Sequence, residues 1–259
     1  MNFPASRCKV ERAQKHITDL NGLLARFVAS DFYSISVHTD QNGKNYLGFN
    51  IDKSPPTSSF PIVDAALIIG DTLHNLRSAL DLLWYSIVNG PTKWTIFPIR
   101  DTRDQLISVL DTALEKKQIS ADIYELVADT VQPYSTGNYF LWALDDLNVR
   151  DKHQLLIPVA KFLRFDGVNL EDDKQRPVNP RMYYLMEESS RIPIGIDMKI
   201  TVKDKGHASG TILFEMGKSG DIIPFQSEPV IPSLSRIAEE VSRTLQAFEG
   251  LDASCFIVS

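Results

Sequence analysis

The chain has 259 residues, 43% of them hydrophobic, so it is long enough to bury a sizeable core. Its net charge of −6, from 27 basic and 33 acidic residues, argues against a protein that binds duplex nucleic acid, because that binding needs a basic face. Two cysteines, Cys8 and Cys255, are too few for a disulfide framework, and the lack of a secretory signal or of about 18 consecutive apolar residues predicts a cytoplasmic location without membrane binding.

The first third of the sequence predicts a helix, a hairpin and a second, longer helix. An amphipathic helix comes first, with an apolar seam that runs from Val10 to Phe27. Residues 32–38 and 45–51 then alternate in polarity around Asn42-Gly43, which favours the type I′ turn of a β-hairpin. A long helix is predicted over residues 61–89, and Gly90-Pro91 follows its end.

Helices continue through the middle of the chain, and strands follow. Three more helices are predicted over residues 103–117, 121–131 and 138–156, and Ser120 is a capping candidate for the second of them. Short alternating segments separated by Gly, Pro and Asp then predict strands over residues 161–165, 182–186, 196–202, 211–215 and 222–226. The polar run 166–181 predicts a surface loop, and a last helix is predicted from Ser233 to Gly250.

These elements predict an α+β fold: a helical core with an N-terminal β-hairpin and a C-terminal antiparallel sheet closed by a last helix. We expect a single domain over residues 1–259. Within it, residues 1–158 form the mainly helical part with the hairpin, and residues 159–259 form the β-rich part with the C-terminal helix.

The long helix carries two opposed stripes of different chemistry. At about 100° per residue, the apolar stripe and the polar stripe centre on opposite sides of the helix. The apolar stripe is Ile69, Leu73, Leu76, Leu80, Leu83 and Ile87, and the polar stripe is Asp64, Asp71, His74, Ser78, Asp81 and Tyr85. An exposed helix face is usually rich in Lys and Glu, but residues 61–89 contain neither. The polar stripe therefore predicts a cluster that faces something specific.

Asp71 and His74 lie one turn apart on the polar stripe. They are candidates for a metal-ligand pair or for an acid–base histidine oriented by a carboxylate, or they form a polar core pair without further chemistry. Asp81 extends the same side of the helix by two turns. Arg77 can neutralise Asp81 at the i+4 position or stack on Trp84.

The helix from Asn138 is the expected partner of this polar stripe. It carries Asp145, Asp146, Asn148, Arg150, Asp151, Lys152 and His153. Because unpaired buried carboxylates are costly, we expect Asp71, His74 and Asp81 to face Arg150, Lys152 or His153. The alternative is a salt-bridged helix end, in which the basic residues offset the helix dipole.

Four segments of the chain resemble a family of bacterial proteins. Residues 70–81, Gly-Asp-Thr-Leu-His-Asn-Leu-Arg-Ser-Ala-Leu-Asp, resemble the family's most specific string. Its other segments correspond here to Phe-Pro-Ile at 97–99, Gln-Pro-Tyr at 132–134 and the helix 144–153 that ends in Asp-Lys-His. The resemblance covers about residues 31–158. No activity is established for that family, so the resemblance groups the segments and supplies no reaction.

The chain departs from the family pattern at two positions. In the family a His often follows the Leu-Asp pair, where this chain has Leu82. An Arg often follows the His of Asp-Lys-His, where this chain has Gln154. Fewer His and Arg side chains are therefore available to a site. There is a looser likeness to HEPN-type helical ribonucleases, which use an Arg followed four to six residues later by a His. Arg150 precedes His153 by only three residues, so that likeness rests on helical architecture alone.

The sequence leaves two functions open. One is a binding or assembly protein in which a polar cluster fixes the register of two helices. The other is a hydrolase that acts on a phosphodiester or nucleotide, with His74 and His153 as acid and base and Asp71 and Asp81 as further catalytic candidates. The candidate binding residues are Asn75, Arg77, Tyr85, Asn148, Arg150 and Lys152.

The sequence assigns no cofactor. A di-metal bundle site is not predicted, because the chain offers one Asp-x-x-His and no pair of Glu-x-x-His motifs. A single metal held by His74, His153 and an Asp stays open. For partners we expect a homodimer, for which the narrow apolar seam of the first helix is one candidate surface, and a small anionic ligand.

Overall fold

Six α-helices and nine strands form an α+β fold in the residues that the computed structural model describes. These are residues 2–30, 33–51, 60–93, 95–154, 159–166, 168–178, 183–185, 189–194, 199–214 and 224–256. The predicted fold class, hairpin, antiparallel pairing in the C-terminal half and last helix are confirmed. Among the described residues, no helix is both long enough and apolar enough to cross a membrane.

The helices lie close to where the sequence predicts them. They are α1 Pro4–Ala29, α2 Ile62–Ile87, α3 Arg103–Glu115, α4 Ala121–Glu125, α5 Tyr139–Gln154 and α6 Val230–Glu249. Helix α4 continues as a π-helix, Leu126–Val131, where the sequence predicted one regular helix, and a 3₁₀ turn, Ala253–Phe256, follows α6. Ser120 caps α4 as expected, because its hydroxyl accepts the N–H of Ile123 at 3.3 Å.

The strands form three sheets of three strands each. They are β1 Tyr33–Thr39, β2 Asn45–Ile51, β3 Val159–Asp166, β4 Asn169–Asp172, β5 Pro177–Val178, β6 Tyr183–Leu185, β7 Ser189–Pro193, β8 Ile200–Asp204 and β9 His207–Phe214. The strand orders are β1-β2-β7, β6-β3-β9 and β5-β4-β8. The hairpin β1–β2 forms as predicted, but its turn is not the two-residue type I′ turn, because Thr39 pairs with Asn45 across residues 40–44 and only Gly43 of this loop has a positive φ, 78°. The Asp40 carboxylate closes the longer loop by accepting the N–H groups of Asn42 and Lys44 at 2.8 and 2.9 Å.

The prediction of a surface loop over residues 166–181 was wrong in part, because β4 and β5 lie within this range and pair with each other. The reason is local. The Asp172 carboxylate accepts the backbone N–H groups of Lys174 and Arg176, each at 2.9 Å, and so closes the turn between the two strands. The predicted strand at 222–226 is also absent as such, because its described part, residues 224–226, is a turn in which Gln226 forms an isolated bridge to Phe214.

The chain divides into two compact units that do not follow the expected boundary at residue 158. The helical unit comprises residues 1–20, 63–158 and 214–259, and the strand unit comprises residues 21–62 and 159–213. The hairpin belongs to the strand unit because β2 pairs with β7. Helix α6 belongs to the helical unit, where it contacts α5.

The core of the helical unit contains the apolar stripe of α2. Ile69, Leu73, Leu76, Leu80 and Leu83 are fully buried, as their spacing predicts. Phe97 lies beside this stripe, with its ring centroid 5.6 Å from that of Trp84 on α2 and 6.3 Å from that of Phe248 on α6. The segment around Phe97 is therefore fixed against two helices, and its backbone is held next to the polar side of α2.

Candidate functional site between two helices

Arg77 is a buried cation at the centre of the helical unit. Only 5% of the residue is exposed. Its Nε donates to Asp145 Oδ1 on α5 at 2.7 Å, its Nη1 to Asp81 Oδ1 on α2 at 2.7 Å, and its Nη2 to the carbonyl oxygen of Phe97 at 3.0 Å. We call Arg77, Asp81, Phe97 and Asp145 the Arg77 cluster. Each nitrogen of the guanidinium is satisfied, as burial of an arginine demands.

The helical period explains why the cluster forms. Arg77 and Asp81 are one turn apart on α2, so their side chains meet. Asp81 Oδ1 also accepts the backbone N–H of Phe97 at 2.9 Å, and the carbonyl of the same residue accepts from Arg77. The peptide groups of Phe97 are thus bound from both sides. Asp145 then joins α5 to this arrangement, so three separate segments meet at one guanidinium.

Burial raises the pKa of the Asp81 carboxyl above its ordinary value. The side chain of Asp81 is only 32% exposed, so its charged form loses part of its hydration. The Arg77 guanidinium and the N–H of Phe97 oppose the rise, while the charge of Asp145 adds to it. Two carboxylates around one guanidinium carry a formal charge of −1, so the Arg77 cluster does not favour an anion.

A second group of polar residues lies where the last turn of α5 approaches α2. We call Gly70, Asp71, His74, Asp151 and Lys152 the helix-end cluster. A Cβ added to Gly70 would lie 2.6 Å from Asp151 Oδ1, so a glycine is needed for this carboxylate to approach α2 so closely. Burial, and next the charge of Asp71, raise the pKa of Asp151, while His74 and Lys152 oppose the rise. Asp71 and His74 are exposed.

The raised pKa values of Asp81 and Asp151 have a consequence for stability. The folded chain holds these two protons more tightly than the unfolded chain, so both groups stabilise the fold less as the pH rises above the ordinary pKa of aspartate. Carbon-13 NMR titration of the carboxyl groups should show both above the ordinary aspartate pKa. Asp172 is the internal control, because hydrogen bonds from Arg176 and Lys174 lower its pKa. Titration of Asp81 below Asp172 would contradict the assignment.

Gly70→Ala tests the close approach of Asp151 to α2. Alanine favours a helix interior by about 1 kcal/mol over glycine, but the new methyl group requires the Asp151 carboxylate to move. The obstacle is the end of a flexible side chain, so we expect the free energy of unfolding to change by less than about 1 kcal/mol. The displaced carboxylate gains water, so the pKa of Asp151 should fall toward its ordinary value in an NMR titration. An unchanged pKa would mean that Asp151 does not depend on Gly70.

The four segments singled out in the sequence converge in the helical unit. Residues 70–81 of α2 hold the Phe-Pro-Ile segment through the Arg77 cluster, as described above. That segment continues to Arg100, whose N–H donates to the carbonyl of Pro133 at 3.0 Å in the Gln-Pro-Tyr segment. The Asp-Lys-His segment supplies Asp151 and Lys152 to the helix-end cluster. Contacts along α2 therefore join segments that are up to about 80 residues apart in the chain.

The two polar helices meet as predicted, but with different partners. The long helix supplies the buried cation, Arg77, and α5 supplies the carboxylate Asp145, which is the reverse of the expected assignment. Arg150 forms an ion pair with Asp146 on its own helix, at 2.6 Å, instead of the expected pair with Asp71 or Asp81. Lys152 does act on Asp81 electrostatically. The side chain of His153 lies outside the described residues, although its backbone belongs to α5.

The other candidate residues occupy different surroundings. Asn75 donates to the carbonyl of Asp71 at 2.7 Å and accepts from Lys9 of α1 at 3.3 Å. Asn148 is buried, whereas Tyr85 is largely exposed. The alternative in which Arg77 neutralises Asp81 is the one that the structure adopts.

The sequence prediction omitted Asp145, Asp151 and the backbone of Phe97 from the candidate site. The signal that points to Asp151 is Gly70, because a glycine in the middle of a helix is unfavourable unless another group approaches closely. Among the described side chains, no group of three or more His, Cys, Asp or Glu is arranged to hold a metal ion. The single-metal alternative depends on His153, whose side chain lies outside that set.

Comparisons with known proteins do not identify a family or a relative for this chain. No family model, curated protein or solved structure matches the chain. The resemblance to the bacterial family therefore stays a prediction. The Arg77 cluster, the helix-end cluster and the exposed side of α2 are the features from which a function can be inferred.

Proposed function

We propose that the helical unit is a binding or assembly module, in which the Arg77 cluster holds α2 and α5 in register. The observation that supports this most strongly is the complete pairing of a buried arginine. Among the described residues, no buried side-chain nitrogen or oxygen lacks a hydrogen-bond partner. A catalytic or ligand-binding arginine needs N–H groups directed at an accessible space, whereas Arg77 is 5% exposed and bound to its own chain.

The surface that such a module presents is the outer side of α2. We call Val63, Leu67, Asp71, His74, Ser78, Leu82 and Tyr85 the α2 face. Its four apolar members are 54%, 54%, 38% and 49% exposed, in chain order. Single exposed apolar residues are ordinary, but several along one line of one helix indicate a contact surface. Asp81 of the Arg77 cluster lies one turn from Ser78 and Tyr85 on this side of α2, and Arg77 joins it to Asp145 of α5, so the cluster holds this side of the helix in place.

In-cell photo-crosslinking tests the proposed contact surface. A photoreactive phenylalanine analogue replaces Leu82 on the α2 face, and the matched control replaces Leu114 on α3. These two residues are similarly exposed, at 38% and 37%. We expect a discrete protein adduct from position 82 and none from position 114. Equal yields from both positions, or no adduct from position 82, would contradict a binding module that uses this face.

A hydrolase that acts on a phosphodiester or nucleotide is the second proposal. The observation that favours it is the exposed His74, close enough to Asp151 for its charge to affect the pKa of that carboxyl. A carboxylate beside an accessible imidazole is an arrangement suited to acid–base catalysis. In this proposal His153 would be the second acid–base group.

Hydrolysis of bis(4-nitrophenyl) phosphate, with and without Mn²⁺, separates the two proposals. The binding proposal predicts no turnover that depends on His74. Turnover that His74→Ala abolishes, and that Leu114→Ala leaves unchanged, would favour the hydrolase. Both variants should retain the far-ultraviolet circular dichroism of the wild type, because both side chains are substantially exposed.

A further inference from the structure

We propose that the α2 face binds the α2 face of a second copy of the chain, with the two helices antiparallel. This inference rests on the proposed assembly function and names its partner. The apolar seam of α1, the other candidate dimer surface, is buried within the chain: Val10, Ala13 and Leu20 are at most 5% exposed. A homodimer therefore needs a different surface, and the α2 face is an exposed line of mixed apolar and polar residues about 33 Å long.

The order of residues on the α2 face is symmetric about its middle. Reading outward from His74, each direction meets a short polar residue, then a leucine, then a second large apolar residue. The equivalent pairs are Asp71 with Ser78, Leu67 with Leu82, and Val63 with Tyr85. The position numbers of each pair add to 148 or 149, so one two-fold axis near residue 74 relates all of them. A two-fold axis is what an isologous dimer requires.

Antiparallel pairing brings complementary groups together. Leu67 of one copy meets Leu82 of the other, twice, so apolar surface is buried at both ends of the contact. At the centre, the Asp71 carboxylate of one copy meets the Ser78 hydroxyl of the other, which can donate a hydrogen bond to it. A polar centre between apolar ends also favours this register, because a shift by one turn would place Asp71 against Leu82 in one direction and Leu67 against Ser78 in the other.

Charge favours the antiparallel orientation over the parallel one. Asp71 carries a negative charge at neutral pH near the middle of the α2 face, and Asp64 and Asp81 lie on the same side of the helix. In a parallel pair the two Asp71 carboxylates would lie opposite each other, and like charges in contact are unfavourable. In the antiparallel pair they lie on either side of the axis, about 10 Å apart along the helices. The two His74 side chains meet at the axis.

A charge exchange tests both the surface and the orientation. Sedimentation equilibrium of the wild type should give twice the chain mass of 29.1 kDa. Leu67→Glu and Leu82→Lys should each weaken association at least tenfold, because each places a charge against a leucine of the partner. The double variant should recover most of the association, since the glutamate introduced in one copy then meets the lysine introduced in the other. In a parallel pair the double variant would oppose like charges and would associate no better than either single variant.

Crosslinking at the axis gives an independent measurement. In a chain that also carries Cys8→Ser and Cys255→Ser, His74→Cys should form a disulfide-linked dimer under mild oxidation. Ser108→Cys is the control, because Ser108 is exposed on α3, and it should not form a disulfide-linked dimer. Far-ultraviolet circular dichroism of every variant shows whether the fold is retained.

The outcomes distinguish this inference from the assembly function on which it rests. A wild type of 29.1 kDa at 200 μM, or a dimer that neither leucine substitution weakens, would overturn self-association through the α2 face. The binding proposal would survive that result if position 82 still forms an adduct with another protein. If the adduct at position 82 were also lost, both the binding proposal and self-association through the α2 face would be contradicted.

Discussion

Arg77→Met is expected to lower the free energy of unfolding by about 3 kcal/mol, because it leaves two carboxylates next to each other without their cation. Asp81 and Asp145 keep about a third of their side-chain surface in water, so the loss should be at the lower end of what a broken buried ion pair costs. The substitution also removes the donor to the carbonyl of Phe97. Urea denaturation at pH 7, monitored by circular dichroism, measures this change.

Two further variants show whether the loss comes from the unpaired carboxylates. In the triple variant, Asp81→Asn and Asp145→Asn accompany Arg77→Met, so no uncompensated charge remains. The triple variant should be more stable than Arg77→Met alone. Arg103→Ala is the control for an exposed pair, because Arg103 and Asp129 are both more than half exposed, and it should cost less than about 1 kcal/mol. A triple variant less stable than the single variant would show that Arg77 acts mainly by packing.

The long helix shows how much of the fold can be predicted from local sequence. The leucine seam of α2 predicts which side is buried, since helical spacing alone places those residues on one face. Asn42-Gly43 likewise predicts the hairpin, and Ser120 predicts the start of α4. In each case the physical cause lies within a few residues of its effect.

The partners of Arg77 could not be predicted in the same way. Asp145 and Asp146 are adjacent on α5 and point about 100° apart, so the rotation of α5 decides which of them reaches α2. That rotation depends on packing between distant segments, and the sequence of α5 carries polar residues on several sides. The contribution of Phe97 is made by its backbone, which any residue shares. Asp151 was predictable only through Gly70, because the missing side chain of this glycine leaves room for the Asp151 carboxylate against α2.

The second large effect is expected at another glycine, where the neighbouring group is backbone. A Cβ added to Gly137 would lie 2.5 Å from the carbonyl oxygen of Gln132 and 2.8 Å from the ring of Tyr134. That carbonyl accepts the N–H groups of Tyr134 at 2.8 Å and of Asn138 at 2.7 Å, so it cannot move without loosening both bonds. Gln132 is already left-handed, with a φ of 50°.

Gly137→Ala should therefore lower the free energy of unfolding by about 2 kcal/mol, within the cost of overpacking a rigid site. The Gln-Pro-Tyr segment would shift and weaken the bond from the N–H of Arg100 to Pro133, which holds the other end of the Phe-Pro-Ile segment. Gly70→Ala is the matched comparison, because there the obstructing atoms end a flexible side chain. Urea denaturation of both variants under one set of conditions measures the difference. If Gly137→Ala proved as stable as Gly70→Ala, the Gln-Pro-Tyr turn would be adaptable, and it would not act as a rigid support for the Arg77 cluster.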